Sequence, residues 1–132
     1  MSQENVEIVR HGYRRLNSGD LDGFLQLCAP DFEFRDLPVI PGSGVFIGDD
    51  GFRAWWAQVT DSFEELHFEA TEFIDGGDRV VDVSRAMGRG RGSGAIVEMH
   101  FSNLWTVRDG RLVACTSYSD QAEALEAAGL RE

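Results

Sequence analysis

The chain is poor in cysteine and histidine, short of basic residues, and has no long apolar run. Cys28 and Cys115 are its only cysteines, and neither stands in the CxxC spacing of a redox or zinc site. Both read as small buried hydrophobes rather than a bridge. The three histidines, His11, His67 and His100, form no HxH or HExxH pattern, so no metal site is expected. Twelve basic residues against 23 acidic ones leave a formal charge of −11. Phosphate binding needs a basic face, so a nucleic-acid partner is not expected, and an anionic membrane surface is equally disfavoured. The apolar runs are too short and interrupted for a bilayer span. Met-Ser-Gln-Glu-Asn at the start lacks the basic region and apolar core of a signal peptide, and a cytoplasmic location is expected. Internal repeats, low-complexity tracts and linkers are absent as well.

What is there is a chain of 132 residues, 42% hydrophobic and 27% charged, which reads as one globular domain over 1–132. Val6, Val9, Tyr13 and Leu16 recur at helical spacing, with Ser18-Gly19 as a stop. Asp20 reads as the N-cap of a second helix whose apolar face is Leu21, Phe24, Leu25 and Cys28, ended by Pro30. Asp31 to Leu37 alternates as a strand. Pro38 to Gly48 reads as a loop. A third helix, capped by Asp49 or Asp50, carries the stripe Phe52, Trp55/Trp56, Val59 and Phe63. Strands follow over His67–Ile74 and Arg79–Met87, then a glycine-rich turn. Gly88-Arg-Gly-Arg-Gly-Ser-Gly94 is no phosphate cradle, because a strand and not a helix follows it. Two more strands join through Asp109-Gly110, a strong hairpin signal, and a short helix closes the chain with Asp120 as its N-cap. The order α-α-β-α-β-β-β-β-α predicts an α+β fold, a curved mixed sheet with the N-terminal helices on its concave side.

Three runs make a resemblance specific: NSGDLDGFLQLCAPDFEFRD, FIDGGDRVVDV and LWTVRDGRLVACTSYSDQAEALEAAG. With the lone Gly48 before helix three, they resemble the NTF2-like superfamily and, within it, the SnoaL-like polyketide-cyclase group. The resemblance covers nearly the whole chain. It implies a cone-shaped half-barrel whose helices close the wide end over a deep apolar cavity, commonly in a homodimer. The superfamily includes isomerases, dehydratases, epoxide hydrolases, cyclases and non-enzymatic binders, so the fold alone does not fix a reaction.

The candidate chemistry starts at Asp36, which ends the first strand where the sheet gives way to the loop. Its place after FEFR is similar to that of the aspartate base in the ketosteroid-isomerase branch. A carboxylate beside apolar walls such as Phe34 and Trp56 can shuttle a proton; a strand-end carboxylate can equally bond loop backbone. His100 lies in the strand 95–107, whose one face carries Glu98, His100, Ser102, Leu104 and Thr106. The opposite face, Val97, Met99, Phe101, Asn103 and Trp105, is the more apolar. Composition therefore turns His100 outward, whereas the family register, counted back from Asp109-Gly110, sets it near the isomerase cavity acid; a slip of one residue separates the two. Tyr13, on the core stripe of helix one, reads as a ligand donor or as a core phenol with a structural partner. Arg85 alternates with Val81, Val83 and Met87. On a cavity face it would bind a carboxylate, enolate or phenolate; on the outer face its head would reach solvent. Only one ring of Trp55-Trp56 can point squarely inward.

The expected function is a pocket for a small apolar or carbonyl-containing molecule, used for isomerisation or cyclisation by proton transfer next to a carbonyl, without cofactor or metal. Asp36 would abstract the proton, with His100 or Tyr13 at the oxyanion; Phe34, Trp56, Val83 and Arg85 would line the pocket. The competing expectation is a non-catalytic binding or dimerisation domain. A homodimer is expected through the outer sheet face, where Thr116 and Tyr118 stand.

Overall fold

The computed structural model of the chain describes residues 2–37 and 44–130. The first helix, α1 (Ser2–Asn17), buries Val6, Val9, Tyr13 and Leu16, the stripe that its spacing predicts. A tight turn leads to α2 (Leu21–Gln26), capped by Asp20, whose side chain accepts from the Gly23 N–H at 2.9 Å. At Gly12 the two helices meet so closely that an added Cβ would stand 3.2 Å from the Phe24 ring.

The second helix is shorter than its pattern suggests. It stops at Gln26, and β1 (Cys28–Arg35) takes in both Cys28 and Pro30. The apolar face assigned to the helix is thus shared by two elements, and Cys28 is a strand residue. Part of the expected loop 38–48 lies outside the described residues, but its end is ordered differently from expectation. Val45–Ile47 forms β2, antiparallel to β1 through Phe34↔Phe46, and α3 (Gly48–Ser62) begins directly after it. Ile47 occupies the N-cap position without a side-chain bond. Asp49 and Asp50 fall inside the first turn, where their charge meets the positive end of the helix.

Strands β3 (Phe63–Asp75), β4 (Arg79–Gly90), β5 (Ile96–Arg108) and β6 (Arg111–Tyr118) follow as an antiparallel meander, each long strand reaching further than its apolar pattern. The β5–β6 turn has positive φ at both Asp109 (53°) and Gly110 (76°), the primed geometry that Asp-Gly favours. The sheet order is β2-β1-β6-β5-β4-β3, with β1 and β6 the parallel pair. Register shifts in β3, between Glu64 and His67 and between Ala70 and Glu72, bend that long edge strand. Asn17 clasps it, accepting from the Phe68 N–H and donating to the Phe68 carbonyl, both at 2.8 Å. The end of α1 is thereby fixed over the sheet.

Two cores divide the faces of this curved mixed sheet. On one, α1, α2 and α3 pack through Val9, Phe24 and Phe52 onto Phe32, Val80, Trp105 and Cys115. On the other, α4 (Gln121–Ala128) sets Ala124, Leu125 and Ala128 against Val81, Leu104 and Tyr118. Asp120 caps α4 as predicted, accepting from the Glu123 N–H at 2.8 Å. Among the described residues no helix is long and apolar enough to cross a membrane.

Candidate functional site

Between α1, α3 and the sheet lies a cavity of about 460 Å³, within the range of about 300–1,000 Å³ typical of small-molecule sites. Its walls are the alternating inward residues of the strands and the inner faces of α1 and α3. Strand β5 contributes Val97, Met99, Phe101, Asn103 and Trp105. This is the more apolar face, so the reading from composition holds here and not the family register. Phe34, Trp55, Phe63 and Phe68 supply further aromatic wall. Charged and hydroxyl or amide side chains are few among the lining residues: Tyr13, Asp36, Asn103 and Ser117.

Asp36 sits one residue beyond β1, half-buried, with both carboxylate oxygens engaged. Oδ1 accepts from the Leu37 N–H at 2.8 Å, and Oδ2 accepts from Trp55 Nε1 at 3.0 Å. The indole is itself wedged against Phe34 with ring centroids 4.7 Å apart. The carboxylate bonds loop backbone, as a strand-end aspartate can, and it also lines the cavity.

The other polar pole is built around Asp82, a residue with no local signal in the sequence. Asp82 is fully buried and accepts four bonds. Tyr13 Oη donates to Oδ2 at 2.5 Å and Trp105 Nε1 to the same oxygen at 2.8 Å. Ser84 Oγ donates to Oδ1 at 2.7 Å, with the Asn103 backbone N–H at 3.3 Å. Burial pushes the Asp82 carboxyl above its usual range, and the four donors pull against that shift. Burial, followed by the nearby Asp82 charge, holds the Tyr13 phenol well above its ordinary pKa, so it keeps its proton. The network continues outward: Asn103 Nδ2 donates to Tyr13 Oη at 2.8 Å, and Ser117 Oγ donates to Asn103 Oδ1 at 2.6 Å.

Tyr13, Asp36 and Phe34 thus reach the cavity, and four other expected positions do not. His100 projects from the outer face of β5 with a side chain 72% exposed, its Nε2 2.8 Å from Glu98 Oε2. Arg85, its partner across β4 and β5, lies on the same outer face and pairs with Glu69 at 2.7 Å and Glu98 at 3.3 Å. Val83 belongs to that face too. The reason is parity: Val81, Val83 and Arg85 point one way, and Val80, Asp82 and Ser84 point into the core. Trp56 is half-buried against Phe68, and the inward ring is Trp55. Among the described residues no three of His, Cys, Asp or Glu converge as a metal site.

A curved mixed sheet closed by helices over an apolar cavity with two polar poles is an α+β architecture of the NTF2-like kind. The sequence profile of the SnoaL-like domain matches residues 9–115, and the chain belongs to that family. It is similar to an NTF2-like protein of unknown function from Burkholderia pseudomallei, at 26% identity over 93% of this chain and 95% of the other, with a TM-score of 0.78. TerC, crystallised with polyporic acid, is 25% identical over 96% and 98% of the two chains, with a TM-score of 0.79. A putative SnoaL-like polyketide cyclase from Jannaschia sp. CCS1 shares the fold at 21% identity, over 98% and 94%, with a TM-score of 0.76. No protein of curated function matches the chain.

Proposed function

We propose that this chain is an enzyme acting on a small, largely apolar carbonyl compound, moving a proton at the carbon next to the carbonyl, as in isomerisation or cyclisation. The observation that carries this reading is Asp36, the one carboxylate among the lining residues of a largely apolar cavity, oriented by Trp55 Nε1 and the Leu37 N–H. In the reaction a C–H bond breaks, Asp36 takes the proton, and the electron pair moves into the adjacent bond to give an enolate. The negative charge on its oxygen is met at the Tyr13–Asn103 pole, and Asp36 returns the proton to carbon. Proton transfer of this kind needs no cofactor. TerC, a similar protein co-crystallised with polyporic acid, supports a small organic ligand.

The test is exchange of the methyl protons of β-acetonaphthone with deuterated water, followed by NMR. The wild type is expected to accelerate exchange, and Asp36→Asn to lose about 100- to 10,000-fold of that rate. His100→Ala, on the outer face, should leave it unchanged. A rate equal in wild type and Asp36→Asn would favour the other reading, a non-catalytic binding domain.

A further inference from the structure

Four polar side chains face the cavity, and the hydrogen bonds among them decide which one still has a proton to offer. Asp36, as a carboxylate, accepts only. Tyr13 directs its single proton to Asp82 Oδ2 at 2.5 Å. Ser117 directs its own to Asn103 Oδ1 at 2.6 Å. The indole N–H groups of Trp55 and Trp105 are taken by Asp36 and Asp82. Asn103 is different. Its amide nitrogen carries two protons, and the hydrogen bonds of the described residues use one of them, to Tyr13 Oη at 2.8 Å. The Cys115 thiol, also in the wall, is a weak donor.

The orientation of that amide is set from both sides. Ser117 accounts for its oxygen, and the Tyr13 oxygen, polarised by giving its proton to Asp82, draws in its nitrogen. Flipping the amide would bring its nitrogen up to the Ser117 hydroxyl and its oxygen against the lone pairs of Tyr13. Ser117, Asn103, Tyr13 and Asp82 form one chain of bonds running in a single direction to a buried acid.

We propose that Asn103 is the hydrogen-bond donor that this cavity presents to its ligand, taking a neutral carbonyl or ether oxygen, and that Tyr13 is a positioning residue for it. This rests on the reading of the cavity as the ligand site. Asn103 lines the wall of a space whose other surfaces are almost wholly aliphatic and aromatic, so one donor there distinguishes an oxygen-bearing ligand from a hydrocarbon of the same shape.

Calorimetric titration with β-acetonaphthone and with its hydrocarbon isostere, β-isopropenylnaphthalene, tests the assignment. The wild type is expected to prefer the ketone by about threefold to tenfold, the worth of one net hydrogen bond. Asn103→Leu should abolish the preference and keep hydrocarbon binding, whereas Tyr13→Phe, which removes the acceptor that orients the Asn103 amide, should reduce the preference without abolishing it. Equal binding of both probes by the wild type would overturn the role of Asn103 and leave the cavity reading standing. Binding of neither would overturn both. A preference lost in Tyr13→Phe and kept in Asn103→Leu would move the donor to Tyr13. Should Asn103→Leu not fold, NMR of the wild type decides: one side-chain amide proton of Asn103 should shift with the ketone and not with the isostere. A shift common to both probes, or to neither, would refute the assignment.

Discussion

Tyr13 Oη donates to Asp82 Oδ2 across 2.5 Å, joining the first helix to the fourth strand through two groups 69 residues apart. The Trp105 ring stands nearly perpendicular to the same phenol, with centroids 5.8 Å apart, and Trp105 Nε1 donates to the same carboxylate oxygen. One buried acid therefore holds together a helix and two strands that build the cavity wall.

That dependence gives an order of stabilities. Tyr13→Phe removes one donor from a buried acid and should cost about 1.5–3 kcal/mol. Asp82→Ala leaves the Tyr13, Ser84 and Trp105 donors without their acceptor inside the core, and each uncompensated group carries a penalty of about 1–3 kcal/mol. Urea denaturation should thus rank wild type above Tyr13→Phe, and Tyr13→Phe above Asp82→Ala. An Asp82→Ala protein as stable as Tyr13→Phe would mean that the network adds little.

Alkaline pH should weaken the fold through groups buried in their protonated form. Burial pushes the Cys28 thiol to about 12, and holds Cys115 and Tyr13 well above their ordinary values. An unfolded thiol ionises near about 8.5 and an unfolded phenol near about 10. Between those values and the folded ones, the unfolded chain has lost protons that the native chain keeps. Stability from these groups is therefore complete below about pH 8 and declines as pH rises. Each group so placed contributes a slope of about 1.4 kcal/mol per pH unit. Urea midpoints measured from pH 7 to 11 should fall over this window, and Cys28→Ala should show a shallower fall. A flat profile in the wild type would contradict it.

Much of this architecture is legible in the sequence because its signals are local. The stripe of α1, the Asp20 and Asp120 caps and the Asp109-Gly110 turn each rest on residues a few positions apart. Asp36 is a candidate for a similarly local reason, its place at a strand end. Asp82 carries no such signal, since a lone aspartate between valines resembles a solvent-facing strand residue. What identifies it is its neighbour across the sheet: Asp82 pairs with Asn103, and Ser117 pairs with Asn103 from the other side. Three polar residues fall in one row across β4, β5 and β6, and all three are buried. Register between strands distant in sequence is needed to see that row. Parity explains His100 and Arg85 in turn, as the turn from Gly90 to Ala95 sets both on the outer face.

The outer face of the sheet suggests a second copy of the chain as partner. Helix α4 covers only the part around Val81, Leu104 and Tyr118. Beyond it, half-buried Val83 stands near Arg85, where Glu69 and Glu98 pair with the guanidinium, and half-buried Thr116 lies in the row between Leu104 and Arg35. A face that mixes apolar strand residues with already paired charges can meet its own copy about a twofold axis without burying a lone charge. We expect a homodimer through this face, with a mass in light scattering of twice 14.7 kDa at micromolar concentration. Thr116→Glu would add one buried charge per copy to this face and should shift the protein to monomer. Circular dichroism should stay native, because the cavity and its network lie on the opposite face. A wild type that is already monomeric under these conditions would rule the dimer out.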